Sequence, residues 1–483
     1  MKRFVKKTMA WLLVLIMSAT NVAAVSAASE VQESDFLPIR ATFEALGGEV
    51  EWNTEARSIT AALAYNTLVF FADSQSAYAN SQAVTLQNTI SIVDGVSYIH
   101  ADDFNYVLMR GMGIEVGSHL SGTILEAHLL APLFMAEFSV PGMTIAIVDA
   151  QRGFTWMQGF GYACTTQGIP VNEHTVFGIA SVSKPFTAIA IMQLVESGII
   201  DLDTPIIEYL PDFSMQPSPG FDSDYKNITT RMLLTHTSGM GAQFYLTSIW
   251  DYDYFSLGGH SPEFMNLFLD NLAQYYLEHP EDKVYYYSNN GYVLLGVLVA
   301  AMTGNDNFFD DFVRYTNEHI FELAGMTRSS FILTDSLMPY LARPYVDLET
   351  PEEYIFPNGL PTGSMVSTGH DMARLMHILL NDDGKLLAPG TVELMMQPHD
   401  FDFSDVGMEY GFGFGQFTTA NGLQIVGHDG QWNHYGASML FHVDSGLGVF
   451  VAINGEFGRA HGVALLTNIM LLEHAVMEKS GQR

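Results

Sequence analysis

Apolar, strand-like runs at the two ends of one long stretch of chain restrict the fold more than any other feature. "GMTIAIVDAQRGFTWMQGFGYA", beginning at Gly142, has the pattern of a hairpin. Far downstream, "YGFGFGQFTT", "GLQIVGHDG" and "YGASMLFHVDSGLGVFVAIN" are strand-like again, punctuated by Gly and Asp. From about Thr187 to Leu380 the chain is mainly helical, with loops such as "QPSPGFDSD", and a last helix, "HGVALLTNIMLLEHAVMEK", follows the strands. Strands at both ends with helices between call for an α+β fold: one antiparallel sheet flanked by helices, plus a helical subdomain.

A smaller α+β module precedes this region, over residues 35–116. In "FLPIRATFEALGGEVEWN" the spacing predicts an amphipathic helix closed by Gly47-Gly48, with a strand next at "SITAALA". The start of this helix is echoed 62 positions later, Phe36-Leu37 matching Tyr98-Ile99 and Leu46 matching Leu108. "GSHLSG" (117–122) has the composition of a linker, and "TILEAHLLAPLFMAEF" after it that of a helix.

The first residues, "MKRFVKKTMAWLLVLIMSATNVAAVSAAS", have the three parts of a signal peptide: a basic start, a short apolar run and small residues ending near Ala27. Cleavage there removes Lys2, Arg3, Lys6 and Lys7 and no acid, taking the formal charge from −33 to −37. The signal pattern makes the expected product secreted or cell-wall associated, and its acidic surface repels nucleic acid and anionic membranes, so neither is an expected partner. No stable membrane insertion is expected after cleavage, because the apolar run is shorter than the roughly 20 residues a span needs. Cys164 is the single cysteine, which excludes an internal disulfide.

Three separated places carry chemistry. S-x-x-K alone is a weak signal and occurs twice. Ser223–Lys226 falls in a polar loop, whereas Ser181–Lys184 opens the apolar helix "PFTAIAIMQLVESG". A cation at the positive end of a helix, away from water, is unfavourable and should lose proton affinity. That lysine can then help deprotonate Ser181, one turn away on the same face. The second place is "YYYSNNGYVLLGVLVAAMTG", where Tyr287 and Asn289 sit at the mouth of another apolar helix. A tyrosine near an ammonium is expected to ionise more easily and to pass protons. An asparagine two residues on can bond both the lysine and a substrate carbonyl. The third is "LQIVGHDGQWNHYGAS", where His428-Asp429-Gly430 end a strand-like run and Gly430 allows a close approach by substrate. His100 and His119 are isolated, His236, His370 and His434 have a structural or peripheral setting, and no cluster has metal-ligand spacing. No cofactor or metal is expected.

Taken in order, the three places resemble the serine penicillin-recognising hydrolases: class C β-lactamases, D-Ala-D-Ala carboxypeptidases, D-aminopeptidases and related esterases. The resemblance spans residues 123–483 and includes "DLDTPIIEYLPDF", "RMLLTHTSGM" and "MVSTGHDMARLMHILLN". It implies a β-lactamase/transpeptidase-like fold, with Ser181 as the acylated nucleophile and Lys184 with Tyr287 handling the proton. Asn289, His428, Gly430 and Gln431 would face the substrate, and the Ser181 and Gln431 N–H groups would form the oxyanion hole. The departure is at the third element, where the resemblance implies Lys-Thr-Gly in β-lactamases and carboxypeptidases, while the esterase and aminopeptidase branches more often tolerate His. A mostly neutral imidazole there replaces a cation suited to a carboxylate. Upstream, "LPIRATFEALGGEVEW" resembles the small N-terminal domain of copper amine oxidases, without any residue pattern that suggests copper.

The expected activity is that of a secreted serine hydrolase, acting through an acyl-enzyme on an ester or a D-amino-acid peptide or amide. Cell-wall peptides are among the expected partners. A β-lactamase proper and a non-catalytic cell-wall or peptide-binding protein are the alternatives on the same fold.

Overall fold

The computed structural model describes residues 36–46, 48–63, 66–221, 224–241, 264–278, 284–304, 307–354, 360–399 and 408–481. The expected signal peptide and Ser223 lie outside the described residues. The chain forms two compact units: residues 1–133 with 477–483, and residues 134–476.

In the first unit, β1 (Phe36–Pro38) and α1 (Ile39–Ala45) lead into an antiparallel meander of β2 (Glu49–Asn53), β3 (Ser58–Leu63), β4 (Asn66–Phe71), β5 (Ser76–Ala79) and β6 (Gln82–Thr85). Then come β7 (Ser91–Val93), β8 (Val96–His100), α2 (Ala101–Gly111) and α3 (Ser121–Phe138). The two segments that repeat in sequence are partners in space: β1 and β8 pair antiparallel with Leu37 opposite Ile99, and each runs straight into its helix. Ile39, Phe43, Ile99 and Val107 are fully buried there. The expected helix ends where the sequence closes it, before Gly47-Gly48, but it starts later, because Phe36–Pro38 is a strand and the helix runs Ile39–Ala45. Pro38, which has no N–H to give, caps α1. A Cβ on Gly48 would lie 2.5 Å from the Ala62 carbonyl, so the close pairing of β2 on β3 needs glycine there. The division between the units falls inside α3, after Leu133.

The second unit contains β9 (Gly142–Asp149), β10 (Phe154–Cys164), β11 (Ile169–Pro170), β12 (Phe177–Gly178), α4 (Lys184–Glu196), α5 (Thr230–Leu234) and α6 (Asn289–Thr303). They are followed by β13 (Val366–Ser367), α7 (Gly369–Asn381), β14 (Glu409–Tyr410), β15 (Gly415–Thr418), β16 (Gln424–Trp432), β17 (Tyr435–His442), β18 (Leu447–Asn454) and α8 (Arg459–Ser480), whose residues from Met477 on are counted with the first unit. Among the described residues the main sheet is antiparallel and ordered β11-β10-β9-β18-β17-β16-β15-β14. The N-terminal hairpin thus pairs with the C-terminal strands through β9 and β18, Ile147 opposite Val449.

Every residue of β9 and β18 is buried, so both faces of the sheet centre are covered. Ala146, Val148, Met439, Phe450 and Ala452 join the helical core around Phe186 and Leu295. Alternation sends Ile145, Ile147, Val449 and Val451 to the other face, also at 0% exposure. Asn468 of α8 donates there to the Ser438 and Val449 carbonyls at 2.9 and 2.8 Å. By length and composition α8 could cross a membrane; here half of it is buried in the protein.

Candidate active site

Ser181 sits on a tight 3-10 turn, Ala180–Ser183, that leads directly into α4. The residue before it, Ala180, has φ 48°, a left-handed conformation that a non-glycine residue adopts at a cost. The turn is held from behind: β12 pairs with β13, Ile179 N–H donates to the Met365 carbonyl and Met365 N–H to Ser183 Oγ. Pro185 occupies the first turn of α4, where a missing N–H costs nothing. Ser181 is part-exposed while Lys184 is fully buried.

Lys184 Nζ lies 3.0 Å from Ser181 Oγ, 2.9 Å from Asn289 Oδ1 and 3.0 Å from the Thr362 carbonyl. Burial pushes the lysine well below its ordinary range, against a smaller opposing pull from the Asp429 charge. A neutral amine has two N–H groups and one lone pair. Carboxamide and carbonyl oxygens only accept, so they take the two N–H groups, and the lone pair faces the Ser181 hydroxyl. The expected Ser-Lys pair is therefore assembled with the lysine disposed to accept.

Tyr287 directly precedes the Ser288 cap of α6, and its hydroxyl donates to Ser181 Oγ at 3.0 Å. Its acidity departs from expectation. Burial raises the phenol well above its usual value; the bond to Ser181 lowers it less, and Tyr285 and Asp429 add to the rise. The physical reason is the burial itself, which penalises a phenolate more than the Ser181 bond favours it. His236 sets the height of this loop. Its carbonyl accepts from Tyr286 N–H at 2.7 Å, its Nδ1 accepts from Ser288 N–H at 3.0 Å, and its ring packs 4.4 Å from that of Tyr287.

The third element lies within β16 rather than at its end. β15 pairs only with Gln424–Gly427, so His428 to Trp432 pass beyond it. Two readings change. A Cβ on Gly430 would sit 2.3 Å from the Ile179 carbonyl and 2.8 Å from Ser181 N, so its bareness admits the nucleophile's turn, not the substrate. His428 is 7% exposed, and both ring nitrogens are engaged: Nδ1 with the Asp429 carbonyl at 2.6 Å, Nε2 with Tyr410 OH at 3.0 Å. A carbonyl accepts, which makes Nδ1 the donor and Nε2 the acceptor. Burial lowers its pKa to about 4, reinforced by Lys184, so it is neutral as expected, but it supports the cleft wall instead of offering a bond into the cleft.

Ser181, Tyr287, His428, Gly430 and Gln431 line one cleft of about 440 Å³, with Lys184 and Asn289 bonded behind Ser181. Sequence reasoning missed Thr362, Tyr410 and His461, and gave Asp429 no role. Thr362 also donates from Oγ1 to Asn289 Oδ1 at 2.7 Å. In the other S-x-x-K, Lys226 is exposed on a 3-10 turn.

This is the fold of β-lactamases and transpeptidases. The β-lactamase/D-alanine carboxypeptidase structure from Pseudomonas syringae matches with a TM-score of 0.60 at 20% identity, over 73% of this chain and 99% of that one. The model of the beta-lactamase family matches residues 130–473, and the chain belongs to that family, whose members are generally serine hydrolases. The copper amine oxidase N-terminal domain model matches residues 18–116. A penicillin-binding protein of Bacillus subtilis (strain 168) is 27% identical over 316 residues, 62% of this chain and 65% of that protein's length. Penicillin-binding protein 4 of Amycolatopsis lactamdurans is 28% identical over 336 residues, 66% of this chain and 81% of that protein.

Proposed function

We propose that this protein is a secreted serine hydrolase that cleaves esters or D-amino-acid amides through an acyl-enzyme on Ser181. The observation that carries the reading is the position of Ser181 Oγ, 3.0 Å from Lys184 Nζ and 3.0 Å from Tyr287 OH. Export is supported by the basic, apolar and small-residue pattern of the first 27 residues.

In the acylation step the Ser181 proton passes to the Lys184 lone pair as Oγ attacks the substrate carbonyl. Backbone N–H groups of Ser181 and Gln431 receive the developing oxyanion. Tyr287, still protonated, is placed to give its proton to the leaving group and recover one from Lys184. Water then attacks the ester on Ser181 by the reverse route. Asn289 and the Thr362 carbonyl hold the amine's two N–H groups, so its lone pair stays aimed at Oγ.

Short-chain esters are favoured over β-lactams because His428 brings no cation to a substrate carboxylate. A charge-assisted hydrogen bond is roughly twice as strong as a neutral one. Its loss corresponds to roughly one to two decades in kcat/KM. Side-by-side kcat/KM for a p-nitrophenyl ester and nitrocefin at pH 7.5 tests this: the ester is expected to win, and a tenfold preference for nitrocefin would establish the β-lactamase alternative instead.

A further inference from the structure

Asp429 stands in the middle of the third motif, and no step above uses it. Alternation along β16 sends its side chain to the opposite face from Gly430. There His461, in the first turn of α8, meets the carboxylate through Nε2. The contact does not hide the acid, since 43% of the Asp429 side chain and 27% of His461 stay exposed. Both line the cleft into which Ser181 opens.

The charges around that cleft are few. Among the described residues lining it there is no Lys or Arg. Lys184 lies buried behind Ser181, and His428 is held neutral. Burial pushes the Asp429 carboxyl up, but the hydrogen bond from His461 and the neighbouring imidazoles of His428 and His461 outweigh it and keep the group below the usual carboxylate range. At neutral pH the cleft therefore presents a carboxylate, on a chain whose formal charge is already −33. A charge in a confined, partly desolvated cleft discriminates by sign: it pairs with a cation and repels an anion.

We propose that Asp429, oriented by His461, is a specificity determinant that favours substrates carrying a positively charged group, such as a free ammonium, and disfavours those carrying a carboxylate. This rests on the hydrolase reading above and assigns a substrate class to that site. An ammonium N–H donates to the carboxylate in a charge-assisted bond, while a substrate carboxylate meets like charge and gains no partner. His461 is a positioning residue, fixing the rotamer of the acid across the gap between β16 and α8.

The test uses the full-length protein and three methyl esters of D-phenylalanine: the free amine, the N-acetyl form and the N-succinyl form, which are cationic, neutral and anionic. The expected order of kcat/KM is amine, acetyl, succinyl, with the amine ahead of the acetyl ester by about tenfold or more. Asp429→Asn should bring that ratio to within about threefold of unity, and Asp429→Glu, which keeps the charge, should retain the order. A wild type without preference for the amine, or an Asp429→Asn variant that slows all three esters alike, would overturn the proposal. Fluorophosphonate labelling of Ser181 separates the two levels: no labelling overturns the hydrolase reading itself, whereas labelling without charge preference overturns this inference alone.

Discussion

Lys184 Nζ lies 3.0 Å from Ser181 Oγ, and the lysine side chain has no solvent exposure at all. The amine must be unprotonated to accept the serine proton, and burial moves that ionisation well below the ordinary lysine range. The sign follows: kcat/KM for a neutral ester rises with pH through one ionisation and levels off before the ordinary lysine range is reached. The Asp429 charge pulls Lys184 upward, so Asp429→Asn should shift this acid limb to lower pH. A limb that stays put, or moves up, would contradict the coupling.

Tyr287→Phe should reduce kcat by roughly 100-fold or more while KM changes little, because the phenol takes part in proton transfer. The ring keeps its packing against His236, so the circular dichroism spectrum should match wild type. A loss confined to KM would make Tyr287 a binding residue.

Gly430→Ala tests the contact between β16 and the nucleophile's turn. The added methyl would meet the Ile179 carbonyl at 2.3 Å and Ser181 N at 2.8 Å, both backbone atoms that cannot swing aside. Overpacking of this kind costs about 1–3 kcal/mol. The variant should melt lower and lose most of its activity, whereas Gly458→Ala, at φ 85° with no contact to Ser181, should melt lower and keep it. Full activity in Gly430→Ala would place that glycine away from the turn.

His428 links stability to pH. Its folded pKa is lowered to about 4 from the ordinary 6.5. The unfolded chain therefore takes up a proton first as pH falls, and stability is lost between about pH 6.5 and 4, by on the order of 3 kcal/mol for this group. His428→Gln keeps a polar side chain and does not titrate. Its melting temperature should fall less than that of wild type over the same window, and parallel curves would show that His428 is not buried neutral.

The nucleophile, its lysine and the tyrosine were legible because each is written locally: a polar residue at the start of a helix too apolar to be exposed. The antiparallel sheet was legible for a similar reason, since buried central strands such as "GMTIAIVD" and "LGVFVAIN" are continuous apolar runs. The role of Gly430 was not, because which face of β16 meets the Ser181 turn depends on packing between segments far apart in the chain. Thr362 and His461 act through a backbone carbonyl and a contact across the fold, and neither leaves a pattern in its own neighbourhood. The end of the first helix at Gly47-Gly48 was legible from the glycines, but its start was not, because Phe36–Pro38 is drawn into a strand by pairing with Tyr98–His100, far along the chain.

The central claim is that Ser181, and not the serine of the second S-x-x-K, carries the acyl group. Reaction with a fluorophosphonate and with a fluorescent penicillin, followed by tryptic peptide mapping, reads this directly. The account predicts a fluorophosphonate adduct on the peptide containing Ser181, slower adduct formation with the penicillin at the same residue, and neither in Ser181→Ala at unchanged melting temperature. An adduct on Ser223, or full labelling and turnover in Ser181→Ala, would contradict it.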